Sequence, residues 1–171
     1  MTDAVAARIA QIFNAEFLSS HHTLMCGGAA EPLYEPVCGP KPARIVFTHD
    51  YPASALHEAA HWCLAGPHRR TQRDYGYWYL PGPRDPQQRE AFFAAEADVQ
   101  AVEAVFARIC GVRFVVSADD FAASSSELER FERVVAQRLI VRRAALPPRA
   151  RRFRAALAAA FATGSAAGHD G

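Results

Sequence analysis

Apolar residues recur three and four positions apart at the start of the chain, where Val5, Ile9, Ile12, Phe13 and Phe17 make one stripe. That spacing predicts an amphipathic first helix with Thr2 or Asp3 as its cap. From Ser19 to Pro42 the periodicity stops, and Gly27-Gly28, Pro32, Pro36, Gly39-Pro40 and Pro42 predict a long irregular loop. Arg44-Ile45-Val46-Phe47-Thr48 reads as a short buried strand. It runs into a helix approached at Pro52, with Ser54 as possible N-cap and Gly66-Pro67 as terminator.

Beyond it, Asp74-Tyr75-Gly76-Tyr77-Trp78-Tyr79 is dense in aromatics and has strand propensity, with Gly76 suggesting close backbone approach. Asp85-Pro86 with Gln88 opens a helix that can run to Cys110 and end at Gly111, turning Phe92, Glu96, Val99, Val102, Phe106 and Ile109 inward. Val112 to Val116 reads as a second strand. Ser126 and Glu129 resemble a capping box for a helix to about Ala145, with Leu128, Phe131, Val135 and Leu139 inward. After Pro147-Pro148 a last helix carries Phe153, Leu157 and Phe161 to Gly164. The expected architecture is α+β: one mainly helical domain over 1–164, a small sheet, a metal site between two helices, and a disordered tail over 165–171.

Composition narrows the function classes. Half of the 171 residues are hydrophobic and 22% are charged, which suits a folded chain with a single core. A net charge of +1 supplies no field to draw the whole molecule to nucleic acid or a membrane, so neither partner is expected. The charge is unevenly spread, with nine arginines and one acid, Glu132, between Arg130 and Arg154. A solvated basic helix face is the favoured reading, ahead of a docking site for an acidic partner. Cys26, Cys38, Cys63 and Cys110 form no C-x-x-C pair and no secretory signal precedes them, so a reduced, cytoplasmic protein is expected. A mixed site of Cys26 and Cys38 with His21-His22 is conceivable, but their spacing matches no zinc motif.

The chemistry concentrates in one stretch. His57, Glu58 and His61 make H-E-x-x-H, and four residues on a helix bring both imidazoles to one face, where they can grip one metal ion. A further anionic ligand must come from elsewhere. Glu96, inward on the next long helix and 35 positions after His61, is the leading candidate. Asp74, Asp98 and Glu103 are its rivals, and Glu103 could instead orient a histidine. His49, at the end of the strand before the helix, can be delivered close to the site.

Three readings follow from such a ligand set. With zinc, a bound water is acidified and Glu58 acts as general base, giving a hydrolase such as a metallopeptidase. With iron(II), two histidines and one carboxylate leave room for dioxygen and substrate, giving an oxygenase. A structural metal in a non-enzymatic binding module is the third. The motif alone favours the hydrolase.

Read beyond the motif, the chain resembles the bacterial elongation factor P hydroxylase family. The resemblance rests on Ile12-Phe13-Asn14, Glu31-Pro32-Leu33-Tyr34, Arg44-Ile45-Val46-Phe47 with His49, Ser54-Ala55, His57-Glu58-x-x-His61-Trp62-Cys63, Ala65-Gly66, Arg69-Arg70, Gly76-Tyr77-Trp78-Tyr79 and Arg84-Asp85, about half of the chain. It implies a non-haem metal hydroxylase that adds oxygen to the β-lysylated lysine of elongation factor P. It implies His57, His61 and Glu96 as ligands of a divalent metal, iron(II) above others, with dioxygen as co-substrate. Glu58 would then handle protons or support a ligand. His49, Arg69, Arg70 and the strip Tyr77, Trp78, Tyr79 would border the substrate.

Overall fold

In a computed structural model that describes residues 2–76, 86–118 and 124–165, a three-stranded sheet packs on the first two of five helices, and the other three pack on helices. Helix α1 (Thr2–His21) lays its stripe of Ile9, Phe13 and Phe17 fully into the core. The sheet follows as β1 (Thr23–Ala29), β2 (Leu33–Glu35) and β3 (Ala43–Thr48), in the order β1-β3-β2. Central β3 pairs parallel with β1 and antiparallel with β2, which is why Ile45, Val46 and Phe47 are all buried.

Much of the expected loop over 19–42 is therefore ordered. Helix α1 reaches His21, and Thr23 to Ala29 is a strand despite Gly27-Gly28. A Cβ at Gly27 would lie 2.6 Å from the His49 carbonyl oxygen and 2.7 Å from the Phe47 ring, so the glycine is what lets β1 and β3 close up. The open edge of β1 is covered from α1. Asn14 accepts from the Met25 N–H at 2.7 Å and donates to its carbonyl at 2.9 Å.

Helix α2 (Pro52–Leu64) carries the H-E-x-x-H motif and packs against α1, β3 and two later helices. Its N-cap is Tyr51, not Ser54, and Pro52 occupies the first turn. The Ser54 hydroxyl instead accepts the Thr48 N–H at 2.9 Å and pins the strand end to the helix. One face of α2 buries Leu56, Ala59, Ala60, Trp62 and Cys63. Trp62 meets Phe17 and Phe13 at ring distances of 4.7 and 5.1 Å, and Phe153 joins them 5.4 Å from Phe13. At the other end of the helix, Arg149 donates to the carbonyls of Trp62 at 2.9 Å and Cys63 at 3.1 Å and also to that of Ala65, with its guanidinium 4.7 Å above the Trp62 ring. Arg70 adds a bond to Ala65 at 2.6 Å, so two cations satisfy the carbonyl end of the helix.

Two short 3-10 turns, Arg69–Thr71 and Arg73–Gly76, follow. Asp74 and Tyr75 are thus not extended, and the rest of the aromatic strip, Tyr77 to Tyr79, lies outside the described residues together with the cap expected at Asp85. Helix α3 (Pro86–Cys110) has the expected span, though Phe93 rather than Phe92 is its buried N-terminal aromatic. Val112 to Val116 forms no strand. Its side chains alternate between partly buried and exposed as a strand's would, but its backbone runs on to a different partner: Gln100 accepts the Ser117 N–H at 3.1 Å and donates to its carbonyl at 2.6 Å. One side-chain amide does here what a neighbouring strand would otherwise do.

Helix α4 (Ser125–Ala144) starts two residues earlier than expected, with Ser124 accepting the Glu127 N–H. Its Phe131 and Val135 are buried against Phe93 and Ala97, while Leu128 is exposed. Helix α5 (Pro148–Ser165) returns across α1 and α3 with Phe153 and Leu157 fully buried. The molecule is α+β and mainly helical, as the sequence pattern predicts; of the tail expected over 165–171, Ser165 ends α5 and 166–171 lie outside the described residues. Five of the nine arginines between Arg130 and Arg154 bind within the fold: Arg130 with Glu90, Arg133 with Glu129, Arg142 with Asp98, Arg152 with Glu16, and Arg149 on α2.

Candidate metal centre

His57 and His61 project from one side of α2, away from the Trp62 core, and meet α3 where Glu96 and Glu103 face them. The Nε2 atoms of the two histidines are 3.1 Å apart. Glu96 places one oxygen 3.4 Å from His57 Nε2 and the other 3.5 Å from His61 Nε2. All three donor groups lie within 4.8 Å of one another. Donors held at about 2.1 Å from one ion lie about 3.0 Å apart at right angles and about 3.4 Å apart at tetrahedral angles, so these spacings match a shared cation.

The surrounding groups orient this set. Glu103 Oε2 is 2.8 Å from His57 Nδ1, which directs the lone pair of Nε2 toward Glu96 and His61. Gln100 donates to Glu96 Oε1 at 3.1 Å with the same amide that holds Ser117. Helical spacing accounts for all three: Glu96, Gln100 and Glu103 stand four and three apart on α3.

Charge makes the same point. Glu58, Glu96 and Glu103 are each at most 9% exposed, and burying three carboxylates together is costly unless a cation joins them. Without a metal, protons take that role. Burial opposes a charge on His57, yet its bond to Glu103 and the fields of Glu96, Glu103 and Glu58 raise its pKa to about 10. Burial, with the nearby charges of Glu96, Asp74 and Glu103 outweighing the opposing pull of His57, lifts Glu58 to about 7. His61, buried and beside His57, is pushed well below its ordinary value. The residues present fit a divalent cation, and among the described residues His57, His61 and Glu96 are the group able to hold one.

Other candidates lie elsewhere. Asp74 accepts the Tyr34 N–H at 2.8 Å, and Asp98 pairs with Arg142 through two nitrogens, so each rival for the third ligand is engaged with another partner, and neither belongs to the group of converging donors. Glu103 supports His57. His49 is exposed, in a left-handed turn at the end of β3, with its ring 5.4 Å from Tyr51. Arg69 bonds the Tyr75 carbonyl at 3.1 Å and lines a cleft of about 540 Å³ beside His61, opposite Asp98, Arg138 and Arg142. Two residues at the site carry no sequence motif of their own: Gln100, and Tyr75, whose ring stacks on His61 at 6.0 Å and 13°. The helical register of Gln100 with Glu96 is the available signal for the first; the second stands in the aromatic run from Tyr75 to Tyr79, which does not by itself single it out.

Fold and site together define an α+β protein with a two-histidine, one-carboxylate candidate metal centre between its two middle helices. A family model described as elongation factor P hydroxylase matches residues 12–170. The elongation factor P lysine hydroxylase of Haemophilus influenzae is 36% identical over 157 residues, covering 91% of this chain and 88% of that protein. The chain belongs to the elongation factor P hydroxylase family. All four cysteines are free thiols, and among the described residues no helix is long and apolar enough to cross a membrane.

Proposed function

We propose that this chain is a cytoplasmic, non-haem metal-dependent hydroxylase that modifies the β-lysylated lysine of elongation factor P. The observation that carries the reading is the convergence of His57 Nε2, His61 Nε2 and Glu96 on one point in a member of that family. His57, His61 and Glu96 would hold iron(II). When bound, the ion supplies activation of dioxygen: one oxygen atom enters a substrate C–H bond, and the other leaves as water with two electrons and two protons from an external reductant.

The chain's own residues prepare that chemistry. Glu103 fixes the tautomer and plane of His57, and Gln100 restrains Glu96. Glu58, buried beside the histidines, is placed to hold or release a proton at its carboxyl oxygens during turnover. Arg69 and Arg70 brace the backbone after α2, and they are proposed, with Tyr77, Trp78, Tyr79 and His49, as residues that contact the substrate. Intact-mass analysis of β-lysylated elongation factor P incubated with wild-type and His57→Ala protein, in air with reductant and iron(II), tests the reading. A product one oxygen atom heavier, formed by wild type alone, is expected; an unchanged mass would remove it.

A zinc hydrolase is the second reading, favoured by one observation: Glu58 directly follows His57 and is buried beside the two histidines, where a general base would stand. It requires chelator-sensitive peptide cleavage that Glu58→Gln abolishes.

A further inference from the structure

We infer that the cleft beside His61 is where the protein substrate docks, with Arg138 on its wall taking a carboxylate of that substrate and Val141 an apolar side chain next to it. The inference rests on the proposed reading for the identity of the substrate as elongation factor P, but not for the charge that the cleft selects.

The cleft of about 540 Å³ is walled by His61 and Leu64 of α2, by Ala95 and Asp98 of α3, and by Arg138 and Arg142 of α4. That volume is within the range of ligand sites, roughly 300–1,000 Å³. His61 is both a candidate metal ligand and part of the wall, so a chain lying in the cleft lies against the centre. The space suits one long side chain and the backbone on either side of it. The rest of a protein partner must then lie outside, on the surfaces around the cleft, and α4 supplies one of them.

Charge says what kind of surface fits there. Of the nine arginines between Arg130 and Arg154, the side chains of Arg138, Arg143, Arg151 and Arg154 are exposed and have no partner among the described residues. Arg138 is the one of these four that lines the cleft. The acid in the wall, Asp98, is already held by two Arg142 nitrogens, and no acid occurs on α4 between Arg133 and Arg143, so nothing there cancels the Arg138 charge. At the centre, Glu58, Glu96 and Glu103 set the opposite sign. A polypeptide that sends a lysine-derived cation inward and keeps a carboxylate at Arg138 matches both ends, whereas the phosphates of a nucleic acid would meet the three carboxylates. Val141 stands one turn on from Arg138 on the same flank of α4 and is 57% exposed, and Ile140 beside it is 70% exposed. An arginine next to aliphatic side chains left in water offers a protein partner both charge pairing and apolar burial.

Three variants test the surface as full-length, cobalt(II)-loaded protein: Arg138→Gln, Val141→Ser and, for the same loss of charge outside the cleft wall, Arg154→Gln. All should bind cobalt(II) as wild type does and melt within about 2 °C of it, because the three side chains are exposed. Affinity for β-lysylated elongation factor P should fall about fivefold in Arg138→Gln at about 50 mM salt and less than about twofold at about 500 mM, since an exposed ion pair is screened. Val141→Ser should weaken binding about threefold at both salt concentrations, and Arg154→Gln should leave it unchanged. In turnover the losses should fall on KM, with kcat kept. Wild-type affinity in Arg138→Gln, or an equal loss in Arg154→Gln, would overturn the role of Arg138, and wild-type affinity in Val141→Ser would overturn that of Val141. A labelled oligoglutamate peptide should bind more weakly to Arg138→Gln than to wild type; equal binding would overturn the preference for carboxylates. Should wild type leave elongation factor P unbound and unmodified, the proposed function would fail while the peptide measurement still decided the charge preference of the cleft.

Discussion

Glu103 reaches across from α3 to within 2.8 Å of His57 Nδ1, so the ring that α2 supplies is aimed by its neighbour. Removing that carboxylate frees the ring to rotate and lowers the basicity of Nε2. Glu103→Ala is expected to weaken iron(II) or cobalt(II) binding about 10–100-fold, or about 1.4–2.7 kcal/mol. Titration of metal-stripped protein checks this, and an unchanged affinity would mean that helix geometry alone aims His57.

Glu58 divides hydroxylase from hydrolase. It is buried next to the candidate ligands but is not among them. In the hydroxylase reading, Glu58→Gln keeps metal affinity within about threefold and slows hydroxylation by about 10–100-fold, the range of a lost proton-transfer group. Single-turnover mass analysis measures the second quantity. Complete loss of a chelator-sensitive peptidase activity, with no effect on hydroxylation, would favour the alternative.

The metal-free protein should lose stability as pH rises. His57 binds its proton more tightly folded, about 10 against an ordinary 6.5, so its contribution is complete below pH 6.5 and disappears as pH passes 10. Glu58 acts in the same sense, complete below 4.5 and gone once pH passes about 7. His61, depressed, has the opposite effect: its contribution is present above 6.5 and lost on acidification. Between about pH 7 and 9 the melting temperature of metal-free protein should therefore fall, while metal-saturated protein changes less. Paired thermal melts test this, and parallel curves would contradict it.

Gln100 holds Ser117 through both of its backbone groups while bonding Glu96. Gln100→Leu keeps the volume but leaves the Ser117 N–H and carbonyl without that partner, and should destabilise the protein by about 1–3 kcal/mol. Denaturant melts supply the number. A loss below about 0.5 kcal/mol would show that the segment after α3 does not depend on this clasp.

The helices and the H-E-x-x-H pair were legible because periodicity and i, i+4 spacing are local properties, and Glu96 because an acid on an apolar stripe calls for a cation. Where the reading failed, distant groups had replaced local ones. Thr23 to Ala29 became a strand because β3 and Asn14 satisfy its backbone, and Gly27 looked like a breaker only until Phe47 filled its missing side chain. Val112 to Val116 has the alternation of a strand but pairs with none of the described strands, and the backbone just beyond it, at Ser117, is bound by Gln100 instead. Tyr75 was read as part of an extended aromatic run, and its left-handed turn depends on Asp74 meeting Tyr34, 40 positions away.

Two donors of the centre stand on α2, while Glu96, the Gln100 that restrains it and the Glu103 that orients His57 stand on α3. A cation held there is also a rivet between two rods, fastening them at mid-length through three donors where the metal-free protein relies on protons and the His57–Glu103 bond. Its loading should be readable far from the chemistry, as slowed amide hydrogen exchange along the inner turns of both helices. In a cell short of the metal, the same joint would loosen first.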